Sequence, residues 1–210
     1  MAGDRKRASR LQEQREKSCW AERKAGELER HYSPGRTWES LAHAFAGLLH
    51  ASEVLDIGSG DGTVAQMLVP GARRYVCLDH SEKLLGAASR RLGKRSSLVR
   101  GDMQALPFAD GRFHVVLSLN VLAYAQEPDR ALDECCRVVK PGGDLLLVTL
   151  NEHESMEIAA QYGHRQPGFS PRWLKKRLSE RGMRVGRCEV SSRERTRPNF
   201  EVITCVAQKV

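Results

Sequence analysis

Three glycines, Gly58, Gly60 and Gly62, separate an apolar run from a helix-forming run in VLDIGSGDGTVAQ. Asp56 stands just ahead of them and Ser59 between the first two. Glycines at this spacing let a chain turn sharply and bring its backbone close to a ligand. The stretch therefore predicts a strand, a tight turn and a helix opening onto an adenosine compound. The turn alone admits a dinucleotide, a nucleoside triphosphate or another adenosine ligand. No Lys-Ser/Thr pair follows, so a Walker loop is excluded, and Thr63 stands where a dinucleotide fingerprint has its third glycine.

More polar residues recur at corresponding places downstream. Asp79, in CLDHS, lies 21 residues after Gly58 with His80 beside it. A carboxylate there accepts from both hydroxyls of an adenosine ribose. Asp102, in GDMQALPF, is suited to the adenine exocyclic amine, with Met103 against the ring. Asn120 ends FHVVLSLN. Each position closes an apolar run, and the carboxyl ends of strands are where open α/β sheets bind ligands.

These residues need a scaffold, and the hydrophobic rhythm provides one. From residue 53 the strands EVLDI, RYVCLD, SSLVRGD, FHVVLSLN and DLLLVTL run in series, read as five βα units. Ser81 opens one helix and Gly93 closes it; another runs from near Pro128 to Pro141-Gly142-Gly143. HESMEIAAQY is helix-like, and Ser170 with Pro171 starts a further helix. Two last strands, RVGRCEVSS and NFEVITCVAQ, are joined too briefly to pair other than antiparallel. The predicted fold is α/β, a doubly wound, mostly parallel seven-stranded sheet ending in an antiparallel hairpin. Residues 1–36 read as a basic arm, helical or partly disordered, and residues 37–210 as a single domain. That domain starts with the helix-period run WESLAHAFAGLLH behind a Thr37 cap.

Composition narrows the function classes. The net charge is +8, but it resides in the two flanks, while the stretch holding the motifs is slightly acidic. With little aromatic interleaving, a solvated basic face is favoured over a nucleic-acid groove. No apolar run approaches the ~20 residues that span a bilayer, and the first residues lack a signal-peptide apolar region. The expectation is a cytoplasmic protein with no membrane segment. Six scattered cysteines, with no C-x-x-C pair, read as free thiols.

Taken together, VLDIGSGDG, CLDHS, GDMQALPF and RVVKPGG resemble the class I S-adenosylmethionine-dependent methyltransferases of the small-molecule type, which includes quinone-biosynthesis enzymes. The resemblance covers roughly residues 31–208. HYSPGRTWE, YGHRQPGFS and SSRERTRPNFEVIT are also similar to the methyltransferase half of arsenic-repressor-type fusion proteins. No winged helix accompanies them here, so DNA binding is not carried over. The resemblance implies S-adenosylmethionine as cofactor. Asp56, Gly58, Ser59, Gly60 and Gly62 would line its methionine side, Asp79 and His80 its ribose, and Asp102 and Met103 its adenine, with Asn120 also at the cofactor.

Methyl transfer from a sulfonium needs no protein nucleophile, so catalytic residues leave a faint trace. His153 and Tyr124 are the catalytic candidates, and Tyr32, Arg36, Trp38, Tyr162 and His164 the substrate-pocket candidates. HESME lacks the second histidine of a zinc-hydrolase motif, and no metal site is expected. NVLAY is not the motif of base-directed amino-methyltransferases, and the cysteine pattern of arsenite methylation is absent. A small organic acceptor is the leading partner. The alternatives are a non-catalytic sensor of S-adenosylmethionine or its demethylated product, and an RNA methyltransferase.

Overall fold

The computed structural model describes residues 47–49, 52–194 and 197–210. Within them seven strands form one sheet in the order β3-β2-β1-β4-β5-β7-β6. The strands are β1 (Glu53–Ile57), β2 (Arg74–Asp79), β3 (Ser97–Arg100), β4 (Phe113–Leu119), β5 (Val139–Leu150), β6 (Met183–Arg193) and β7 (Glu201–Lys209). The first five pair in parallel; β7 lies antiparallel between β5 and β6. This is the architecture the alternating pattern predicts. All of these strands belong to one compact unit, Ala42–Val210. The 1–36 arm, the Thr37 cap and most of the first predicted helix lie outside the described residues.

Side-chain alternation explains why the central strands are apolar throughout. On β1, Val54 joins one cluster with Tyr75, Cys77, Ala65, Ala88 and Leu92, while Leu55 and Ile57 join the other. The first cluster packs under α1 (Thr63–Leu68) and α2 (Glu82–Leu92). The second packs under α3 (Pro128–Val138) and α5 (Pro171–Ser179), whose Leu174 and Leu178 are fully buried. A strand covered on both faces must be apolar on both. The caps also form: Ser81 Oγ accepts from the Leu84 amide at 3.3 Å, and Ser170 Oγ from the Trp173 amide at 3.2 Å.

Two expectations need correction. No helix joins β3 to β4; residues 101–112 make an irregular crossing, so the series is not five complete βα units. The helix expected to end at Pro141-Gly142-Gly143 ends at Val138, and β5 begins with those residues. The β4–β5 ladder breaks its register there, passing from Phe113↔Val139 to Val115↔Asp144. A Pro-Gly-Gly signal marks a disruption, and a strand absorbs one as an irregularity where a helix would stop. The helix-like HESMEIAAQY forms only a short α4 (Met156–Gln161).

Candidate functional site

The glycine elbow sits where β1 gives way to α1. Gly58 and Ser59 donate their amides to the Leu78 carbonyl at 2.7 and 3.1 Å, which ties the elbow to the end of β2. Gly58 has φ +68°, and a Cβ there would lie 2.3 Å from Val121 Cγ2, so only glycine lets β1 and the end of β4 come this close. Gly60, at φ +58°, has open space beside it. Gly62 does not face the cleft; its missing Cβ leaves room for Ala88 and Leu92 of α2. The helix-packing role of a third glycine has moved here by one residue.

Asp79 holds the elbow in place. Its Oδ2 accepts from the Gly60 amide at 3.0 Å and its Oδ1 from the Ser81 amide at 2.9 Å, and the residue is 5% exposed. A carboxylate has about four lone-pair positions, so capacity remains for a ligand's hydroxyls. His80 Nδ1 lies 3.4 Å from Asp79 Oδ1 on an exposed side chain. Asp102 Oδ1 accepts from the Gln104 amide at 2.9 Å, forming a small turn beside Met103.

These pieces enclose a cleft of about 630 Å³, within the ordinary range for small ligands. Gly58, Gly60, Asp79, His80, Asp102 and Met103 line it, and Asn120 and Tyr124 close its far side. Gln104, Gln126 and Arg165 also reach it, which the sequence reading missed. Asp56 and Ser59 have other surroundings. Asp56 is buried under the elbow, where the Tyr75 hydroxyl donates to its Oδ2 at 3.0 Å. Burial, helped by the nearby Asp79 and opposed by the Tyr75 hydrogen bond, pushes the Asp56 carboxyl up to about 7. Ser59 Oγ is buried without a partner.

A second cavity of about 450 Å³ adjoins the first, and Asn120 belongs to both. Asn120 sits at φ 55°, a left-handed conformation that asparagine tolerates better than most residues. Tyr162 and His164, two of the substrate-pocket candidates, line this cavity, together with Thr149, Ile158, Phe200, Glu194 and Arg197. Thr149 was hidden inside an apolar strand, and its one sequence signal is a hydroxyl at that strand's carboxyl end. His153 packs against Phe200 with ring centroids 4.6 Å apart and the rings tilted by 52°, and it is not one of the residues lining the cavity. Tyr124, which lines the first cleft, meets the His164 ring edge-on with centroids 4.7 Å apart.

Burial lowers the pKa of both histidines, and for His164 the neighbouring His153 adds to the effect. Both therefore favour the neutral imidazole, which can accept a proton. Among the described residues, both ring nitrogens of His153 and Nδ1 of His164 are buried without hydrogen-bond partners. Tyr32, Arg36 and Trp38 lie outside the described residues. Among the described residues no cluster of metal-ligating side chains occurs, and Cys77, Cys135, Cys136, Cys188 and Cys205 are free and buried.

Comparison with known proteins agrees with this geometry. A family described as methyltransferase domain matches residues 55–147. The chain is 36% identical over 136 residues to a demethylmenaquinone methyltransferase of Renibacterium salmoninarum, covering 65% of this chain and 51% of that protein. It is 38% identical over 122 residues to a malonyl-[acyl-carrier protein] O-methyltransferase of Erwinia pyrifoliae, covering 58% and 45%. The chain thus spans about half the length of these curated relatives. Its fold superposes on the methyltransferase CalH, solved in complex with SAH, with a TM-score of 0.65 at 18% identity, covering 82% of this chain and 55% of that one. The matched stretch begins on β1, contains the elbow and all three strand-end acids or amides, and stops within β5. Over residues 55–147 the chain is therefore similar to methyltransferases, by the family match and by both relatives.

Proposed function

We propose that this protein transfers a methyl group from S-adenosylmethionine to a small organic acceptor. The observation that carries the reading is the meeting of two cavities at Asn120. One has the carboxylates and open glycine backbone an adenosyl group requires; the other has a mixed apolar and polar wall. Asp79 would hold the ribose hydroxyls, Asp102 and Met103 the adenine, and Gly58 and Gly60 the approach to the methionine portion.

When bound, the cofactor supplies a methyl carbon on a positively charged sulfur; the acceptor's lone pair forms the new bond, and the broken bond's pair stays on sulfur. The chain's own task is to align the acceptor and keep water out. Such positioning is worth up to ~7–11 kcal/mol. A proton leaving the acceptor needs a neutral base, and His164 fits best because it lines the acceptor cavity. His153, a catalytic candidate from sequence, packs against the lining residue Phe200 instead of lining the cavity itself. Tyr124 bridges the two cavities through its contact with His164.

The test is calorimetry with S-adenosylmethionine and S-adenosylhomocysteine, followed by a methyl-release assay over an acceptor panel. Asp79→Asn is expected to weaken cofactor binding by ~1.5–3 kcal/mol. Thermal unfolding without cofactor separates this loss from loosening of the elbow. Unchanged affinity would refute the ribose assignment, and tight binding with no turnover on any acceptor would make the protein a sensor.

A further inference from the structure

The acceptor cavity arranges its polar groups by depth. At its inner end lies Thr149, fully buried, with a hydroxyl that has no partner. His164 Nδ1 is also buried and unpartnered. A buried polar atom left unpaired costs ~1–3 kcal/mol, so such atoms are tolerated where a ligand completes them. Ala123, Leu150, Ile158, Phe200 and Val202 give the cavity much apolar wall, beside the exposed Tyr162.

The mouth carries Glu194 and Arg197, both exposed and both on the segment joining β6 to β7. Among the described residues neither side chain has an ion-pair or hydrogen-bond partner. Nearby charges behave differently: Arg193 pairs with Glu201 across the same hairpin. One free charge of each sign therefore stands at the entrance to a cavity whose depths want a hydroxyl.

We infer that the acceptor is a zwitterionic α-amino acid with a hydroxyl on a ring-sized apolar side chain. Arg197 receives its carboxylate, Glu194 its ammonium, and Thr149 with His164 its hydroxyl. The inference rests on the methyltransferase reading and narrows its substrate class. A hydroxy acid would meet repulsion from Glu194, and a hydroxylated amine repulsion from Arg197. A wholly apolar acceptor would leave the inner polar atoms unpaired. A cavity of about 450 Å³ accommodates one such molecule. The hydroxyl end then lies beside Asn120, where the two cavities meet.

The test uses the full chain. S-adenosylhomocysteine binding is measured first by calorimetry. The loaded protein is then titrated with L-tyrosine and L-3,4-dihydroxyphenylalanine, and with three analogues each missing one group: L-phenylalanine, tyramine and 3-(4-hydroxyphenyl)propionate. At least one hydroxylated amino acid is expected to bind, with each truncated analogue at least about tenfold weaker. Glu194→Gln should weaken the amino acid and spare the propionate; Arg197→Gln should weaken the amino acid and spare tyramine. Neither hydroxylated amino acid binding, any truncated analogue binding equally, or both variants leaving affinity unchanged overturns the inference. If S-adenosylhomocysteine itself fails to bind, the methyltransferase reading falls and takes the inference with it. If it binds and the amino acids do not, only the inference falls.

Discussion

Residue by residue, the two buried acids beside the glycine elbow differ in their partners. Asp79 spends half its lone pairs on the Gly60 and Ser81 amides and keeps the rest for a ligand. Asp56 is sealed in with Tyr75, away from the cleft lining. The sequence could show that both sit at strand ends; it could not show which way each side chain turns, because one-residue alternation within a buried strand leaves no compositional mark. The raised carboxyl of Asp56 has a measurable consequence. Its folded value of about 7 exceeds the ordinary 3.8. Between those values the folded protein holds a proton the unfolded chain has released, so stability falls as pH rises through the window and levels off above it. The upper bound on that loss is ~4 kcal/mol. Asp56→Asn retains an acceptor for the Tyr75 hydroxyl and removes the titration. Denaturant unfolding should therefore show the wild type losing stability relative to the variant from about pH 4 to about 7, while the buried histidines contribute alike to both proteins. Parallel profiles would sink the assignment.

At the scale of elements, what was readable followed from local chemistry. Ser81 and Ser170 announced their helices because a cap is a single-residue device. The β3–β4 crossing and the Pro-Gly-Gly start of β5 were misread because both depend on neighbouring strands, which local pattern does not record. The elbow lies between these cases: its glycines were visible, but the reason for each was not. Gly58 and Gly60 differ in a way that substitution can expose. An alanine at 58 meets Val121 at 2.3 Å in addition to its left-handed backbone, whereas an alanine at 60 meets only the backbone penalty and open space. Gly58→Ala should lower stability by ~2–4 kcal/mol, since overpacking and conformational strain add. Gly60→Ala should cost only ~1 kcal/mol yet still weaken cofactor binding, because its methyl enters the cleft. Thermal unfolding paired with calorimetry reads both quantities. Val121→Ala in the Gly58→Ala background should recover part of the stability, and no recovery would remove the contact with Val121 as the cause.

For the whole molecule, the excess positive charge raises the question of a polyanionic partner, and among the described residues several cations are already engaged. On α5 and the turn after it, Arg177 lies 3.2 Å from Asp129, and Arg181 lies 3.0 Å from Asp129 and 2.7 Å from Asp133. Along β6, Arg187 meets Glu189 at 2.9 Å and Arg193 meets Glu201. At the amino-terminal end of the sheet, Arg112, Arg73 and Lys140 converge on Glu53, and the Arg112 hydrogen bond leads in holding that carboxyl down to about 2. The exposed pairs among these add little stability, but every pair, including those on buried Glu53, dilutes the local positive field. Polyanion binding gains from counterion release only where cations are free to replace the counterions. Single-stranded RNA should therefore be retained weakly at low salt and lost steeply as salt rises. If cofactor affinity rests on hydrogen bonds within the cleft, as proposed, it should change less than about twofold between ~50 and ~300 mM salt. Fluorescence anisotropy with a labelled oligonucleotide, run beside cofactor calorimetry over the same salt series, measures both slopes. Submicromolar RNA affinity at ~150 mM salt would reverse this conclusion and move the acceptor from a small molecule to a nucleic acid.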